Sequence, residues 1–202
     1  MKLYYSPLAC SFAVDIALRE AGLPFELERV DTKAKKTADG RPYLEINPKG
    51  YVPALELDDG SVITEAAAVL QYVADHSRGA RLAPAAGTLD RVRLQEWLNW
   101  TASELHKCFT PLFDPKLSDE RKQEARTAVA RWLDFLEGSL EGREYLVGKA
   151  FSVADAYCYV VLNWTRFTGI ALDGHPRVAA YLGRIAQRPA VKEAFAAETR
   201  PS

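Results

Sequence analysis

The chain has little cysteine: three residues in 202, an odd number at scattered spacing. That excludes a disulfide framework and fits reduced thiols in a cytoplasmic protein. No apolar run is long enough to span a membrane. The first residues, Met1-Lys2-Leu3-Tyr4-Tyr5, enter a strand-like run directly, without the apolar core of a signal peptide. Charge of one sign is also missing: 26 Lys and Arg against 27 Asp and Glu, interspersed, leave a net −1. With no basic patch, nucleic acid is not an expected partner. There is no metal-ligand spacing, no P-loop and no GxGxxG, so neither a metal nor a nucleotide cofactor is expected. Internal repeats and low-complexity segments are absent. The apolar fraction, 48%, is ordinary for a globular chain and suffices for one large or two small domains.

One stretch organises the rest: Lys49-Gly50-Tyr51-Val52-Pro53-Ala54-Leu55-Glu56-Leu57, running on to Thr64-Glu65-Ala66. Pro53 cannot donate a ladder hydrogen bond at the start of a strand. X-Pro is the common site of a cis peptide, and a cis Val52-Pro53 bond turns the Val52 backbone polar groups outward. Such a backbone can pair with a peptide-like ligand by a short strand addition. Asp58-Asp59-Gly60 reads as a hairpin turn between 54–57 and 61–63. Glu65 opens a helix whose N-terminal amides attract a carboxylate. A peptide-backbone dock therefore lies beside an anion dock.

Residues 2–5 read as a buried strand, 6–10 as a loop, and 11–21 as a helix closed by Gly22. Residues 25–30 alternate as a second strand. This is β-α-β in a short span, so the two strands are expected to be parallel. Lys33-Ala34-Lys35-Lys36-Thr37 reads as a polar loop and residues 43–46 as a helical turn. With the hairpin and helix that follow, residues 1–78 form an α/β thioredoxin-like domain. Gly79, Pro84 and Gly87 mark a linker over 79–88. Everything in 89–202 reads as an all-α domain. It starts with one long helix over 90–113 and includes a second that Ser118 caps. Ser152-Val153-Ala154-Asp155 forms a capping box, and Pro176 and Pro189 start further helices.

Cys10 lies in the loop before the first helix, where the helix dipole favours a thiolate. The alternative is a small buried hydrophobe. Its place after strand one and before helix one, the redox position of thioredoxin-like folds, favours function. Cys108 and Cys158 read as core. Asn99, Ser103, His106 and Lys107, spaced i, i+4, i+7 and i+8, share one helix face. That face is either solvated surface or, if it looks toward Cys10, a place where His106 can bond a thiol or thiolate. Glu65 is either a helix-start acid or a charge holding a ligand ammonium. One of the lysines at 33–36 can hold a ligand carboxylate. Trp164 reads as core that can also wall an apolar pocket. Ser11 and Tyr5 are close enough in sequence for either hydroxyl to support the thiolate.

These residues, taken in order, resemble a cytosolic glutathione transferase of the bacterial beta class. The motifs are Met1-Lys2-Leu3-Tyr4-Tyr5 with Cys10; Asn47-Pro48-Lys49-Gly50-Tyr51-Val52-Pro53; Thr64-Glu65; Glu96-Trp97-Leu98-Asn99; Ser103-Glu104-Leu105-His106-Lys107; Ser152-Val153-Ala154-Asp155-Ala156-Tyr157; and Arg184-Ile185-Ala186-Gln187-Arg188-Pro189. The resemblance implies a homodimer that takes glutathione as co-substrate and conjugates it to hydrophobic electrophiles. It places Val52 on the cysteinyl backbone of glutathione, Glu65 and the amide of Ala66 on the γ-glutamyl end, and Lys35 near the glycyl carboxylate. Asn99, Ser103, Glu104, His106 and Lys107 are the implied contributors from the helical domain. Cys10 and His106 are the implied catalytic pair, with Cys10 also able to form a mixed disulfide with glutathione, which allows thiol–disulfide exchange or reduction of an organic peroxide. Leu8, Phe113 and Trp164 are the expected electrophile pocket. Leu8 stands where this class often has Gly, and Val14-Asp15 where Pro-His is common. The rivals are a regulatory relative that no longer binds glutathione and a carrier of hydrophobic ligands.

Overall fold

The computed structural model describes residues 1–77 and 81–200, so Gly79 of the expected linker lies outside the described residues. Contacts group the chain into two units: residues 1–83 together with the chain from Arg188 onward, and Pro84–Gln187. The final helix thus goes with the first unit, whereas the sequence reading put all of 89–202 into the helical one.

The first unit holds a five-stranded sheet in the order β3-β2-β1-β4-β5. Its strands are β1 (Lys2–Tyr5), β2 (Glu26–Asp31), β3 (Lys36–Thr37), β4 (Ala54–Glu56) and β5 (Val62–Thr64). β1 runs parallel to β2, with Lys2 opposite Glu26, and antiparallel to β4, with Tyr4 opposite Ala54. This is the thioredoxin-like arrangement the β-α-β spacing predicts. The exception is β3, read as loop from its lysines. It pairs with β2 because Thr37 turns inward and is buried opposite Val30.

Helix α1 (Phe12–Glu20) connects β1 and β2 and is buried continuously from Phe12 to Leu18, because α2 (Ala66–Asp75) and α9 (Pro189–Glu198) both pack on it. It ends as the sequence predicts. Gly22 takes φ +65°, its N–H donates to Arg19 O, and the Leu23 N–H reaches back to Leu18 O. That double closure needs a residue free of the Cβ penalty at positive φ. Arg188 ties the start of α9 to α1 through a two-pronged bond to Glu20, at 2.6 and 2.9 Å.

The second unit contains α3 (Leu89–Trp100), α4 (His106–Phe109), α5 (Asp119–Ser139), α6 (Val153–Asn163), α7 (Thr165–Thr168) and α8 (Pro176–Ala186). Every residue of α6 is buried, and α3 and α8 pack on it, as its all-round apolarity predicts. Its start is the capping box: Asp155 Oδ2 accepts from the Ser152 N–H at 2.9 Å and from the Ser152 hydroxyl at 2.8 Å. The same carboxylate, through Oδ1, accepts from the Leu146 N–H and the Tyr181 hydroxyl. No helix among the described residues is long and apolar enough to cross a membrane.

Candidate active site

In the first unit, the loop from Ser6 to Ser11 is clasped at its base. The Ser11 hydroxyl accepts from the Ser6 N–H and donates to the Ser6 carbonyl, both at 3.2 Å. Ser11 is fully buried, and its hydroxyl shapes the loop. Tyr5 is also buried. Burial first, then the Glu198 charge, raises its phenol above the ordinary value, which disfavours a phenolate. Leu8, between them, has φ +56°, the left-handed region that favours glycine. Its N–H donates to Glu198 Oε2 at 2.7 Å.

Cys10 is half-buried. Its thiol donates to the Val52 carbonyl at 3.1 Å, so the structure brings together two residues far apart in sequence. The Val52-Pro53 bond is cis. The preceding carbonyl, of Tyr51, accepts from the Tyr43 hydroxyl at 2.8 Å and from Asn47 Nδ2 at 2.7 Å. Tyr43 is fully buried against Tyr4, Val30 and Ala54, so a packed sheet face fixes the Val52 turn.

Two lysines converge on that turn. Lys35 Nζ donates to the Gly50 carbonyl at 2.8 Å and lies 5.3 Å from the Tyr51 ring centre. Gly50 takes φ +69°, the left-handed region that favours glycine, and a Cβ there would stand 3.1 Å from Leu44 Cδ2 and 3.3 Å from Lys35 Cε and Nζ. Lys49 Nζ donates to Glu65 Oε1 at 2.7 Å and to the Thr64 hydroxyl at 3.1 Å. Glu65 caps α2 with φ +70°, and Ala66 is the first residue of that helix. The Glu65 carboxylate is exposed, with one oxygen on a lysine that is itself exposed.

The second unit departs from expectation at its first helix. The long helix read over 90–113 is not uniform: α3 gives way to a π-helical segment, Thr101–Leu105, then α4, then a 3-10 segment, Thr110–Phe113. Wider i→i+5 turns shift the register within the run. Asn99, Ser103, Glu104 and Lys107 stay exposed, while His106 is half-buried. Its Nδ1 is 3.0 Å from the Tyr157 hydroxyl, and Trp164 meets its ring edge-on at 4.8 Å. Burial, and then the Lys107 charge, draws the imidazole down from 6.5 to about 4, so it is neutral at physiological pH. Phe113, half-exposed, meets Trp164 at 5.5 Å, and Trp164 is itself buried. Two of the three expected pocket residues are therefore in contact; Leu8 belongs to the first unit.

The sequence reading gave no role to Tyr157 or Glu198. Only the capping-box motif pointed near Tyr157, and nothing local pointed to Glu198. Cys158 is fully buried and Cys108 half-buried; burial pushes both thiols up, which disfavours the thiolate in each. Among the described residues no three His, Cys, Asp or Glu side chains group to hold a metal ion.

Known proteins share this arrangement. Residues 9–76 match the family model for the glutathione S-transferase N-terminal domain, and residues 100–189 match that for the C-terminal domain. The chain is 42% identical to glutathione S-transferase GstA of Escherichia coli O157:H7 over 198 residues, covering 98% of both. It is similar to a solved sphingomonad glutathione S-transferase complexed with glutathione, at 49% identity, full coverage of both chains and a TM-score of 0.96. It is equally similar in fold to the bacterial beta class enzyme of Sphingomonas chungbukensis, at 48% identity, 98% and 99% coverage and a TM-score of 0.96. The chain belongs to the glutathione S-transferase family, on its bacterial beta-class branch.

Proposed function

We propose that this enzyme joins the sulfur of glutathione to hydrophobic electrophiles. The observation that carries the reading is the end-to-end likeness, at 49% identity, to a protein solved with glutathione bound. In this reading Val52 pairs with the cysteinyl backbone of glutathione. Glu65 takes the α-ammonium, the Ala66 amide the γ-glutamyl carboxylate, and Lys35 the glycyl carboxylate. Asn99, Ser103, Glu104 and Lys107 add polar contacts, and His106 donates to the sulfur. Leu8, Phe113 and Trp164 receive the electrophile. With a chlorinated nitrobenzene, the thiolate attacks the carbon bearing chlorine. A carbon–sulfur bond forms, chloride leaves with the bonding pair, and the thiol proton goes to solvent.

Cys10 gives a second chemistry. Its thiolate attacks glutathione disulfide, the S–S bond breaks, a Cys10–glutathione disulfide forms and one glutathione thiolate departs. The protein works as a cytoplasmic homodimer. The rings of Trp97, Trp100, Trp132 and Phe135 contact one another, with Phe135 exposed, and this reading gives that apolar surface to a second copy. Retention on immobilised glutathione, followed by turnover of the chlorinated nitrobenzene, tests the main reading. Retention with turnover supports it. Retention without turnover favours the ligand carrier, and neither favours the regulatory relative.

A further inference from the structure

The His106 imidazole has a partner that the reaction above leaves unused. Tyr157, from α6, is 3% exposed, and its hydroxyl lies 3.0 Å from His106 Nδ1. The two rings meet edge-on at 6.3 Å, and Trp164 closes another side at 4.8 Å. The imidazole is thus held by two aromatic side chains from the same stretch of chain. A neutral imidazole has one N–H donor and one acceptor nitrogen, and its neighbours select which is which. A phenol O–H is a stronger donor than an imidazole N–H, and the bare ring nitrogen is a stronger acceptor than a phenol oxygen. The favoured bond therefore runs from Tyr157 to Nδ1. Burial keeps the ring neutral far below physiological pH, so the choice between tautomers persists through the working range.

We propose that Tyr157 is a positioning residue that fixes His106 as its Nε2–H tautomer, so that the side chain offers one neutral donor to a ligand sulfur. The proposal rests on the reading of His106 as the group that donates to sulfur. The N–H stabilises a thiolate without giving up its own proton, and the proton of the thiol passes to solvent. In the opposite tautomer Nε2 carries a lone pair, which repels the developing anion. Tyr157 acts through His106 and does not itself touch the reacting atoms.

The test is nitrogen NMR of the histidine side chains without substrate, in wild type and in Tyr157→Phe, with His106→Asn assigning the signal among the three histidines. The expected wild-type result is a protonated Nε2 and a bare Nδ1 at neutral pH. Tyr157→Phe, which keeps the ring volume, is expected to give a mixture of tautomers. It should lower kcat for conjugation about tenfold while leaving KM for glutathione within about twofold. A protonated Nδ1 in wild type overturns the proposal. So does a tautomer, or a kcat, unchanged in Tyr157→Phe. If wild type shows no conjugation at all, the transferase reading fails, and the nitrogen spectrum still decides whether Tyr157 sets the tautomer.

Discussion

Glu198 reaches back across nearly the whole sequence to Leu8: its Oε2 accepts the Leu8 N–H at 2.7 Å, inside the loop that carries Cys10. The carboxyl is 3% exposed, and its other oxygen has no hydrogen-bond partner. Leu8 sits at positive φ, a conformation that its own side chain disfavours, so this bond helps to hold it. The last helix therefore braces the loop at the proposed catalytic centre.

Burial pushes the Glu198 carboxyl from 4.5 to about 8, with the charge of Asp15 adding to the rise and the Leu8 amide and Arg19 opposing it. Between those two values the folded chain keeps a proton that the unfolded chain has released. This contribution to stability is complete below pH 4.5 and is lost as pH rises to 8, at no more than about 1.4 kcal/mol per pH unit. Glu198→Gln keeps an acceptor for Leu8 and removes the titration. Urea unfolding at pH 5.5, 7 and 8.5 should show the wild type losing stability relative to Glu198→Gln as pH rises. Parallel profiles would contradict the assignment.

His106 acts at the other end of the pH scale. Its folded value lies below its ordinary one, so its contribution is present above pH 6.5 and is lost as pH falls toward 4. His106→Asn should therefore flatten the acid limb of the stability profile between those limits. An acid limb identical to wild type would mean that the imidazole is not held neutral by its surroundings.

Asp155 is fully buried and accepts bonds from Ser152, Leu146 and Tyr181. Asp155→Ala leaves several buried donors unpaired and should cost at least ~3 kcal/mol in urea unfolding. Ser152→Ala, which removes one hydroxyl from the box, should cost about 1 kcal/mol. Equal costs would mean that Asp155 does no more than cap α6.

The Lys49–Glu65 pair is exposed on both sides, and such pairs contribute little to stability. Glu65→Gln should change unfolding by less than about 0.5 kcal/mol. If Glu65 holds the ligand ammonium, the same change should raise KM for glutathione about tenfold. A large loss of stability with KM unchanged would make Glu65 a helix-start residue only.

Much of the fold was legible because its signals are local. Gly22 closes α1, Ser152 and Asp155 open α6, and the short β-α-β span forces a parallel pair. The Val52-Pro53 turn and Glu65 were legible for the same reason. The π-helical segment before His106 was not, since a continuous apolar pattern does not reveal one wider turn. Glu198 was hidden because its partner is 190 residues away, and a single acid near a chain end reads as solvated. Strand β3 was hidden by its lysines, although Thr37 is the residue that turns inward.

The most direct measurement is the intact mass of the purified protein after exposure to glutathione disulfide, before and after reductant. The account predicts one glutathione per chain, released by reductant and absent in Cys10→Ala, with conjugation by that variant largely retained. No adduct in wild type, together with no glutathione-dependent conjugation, would contradict it.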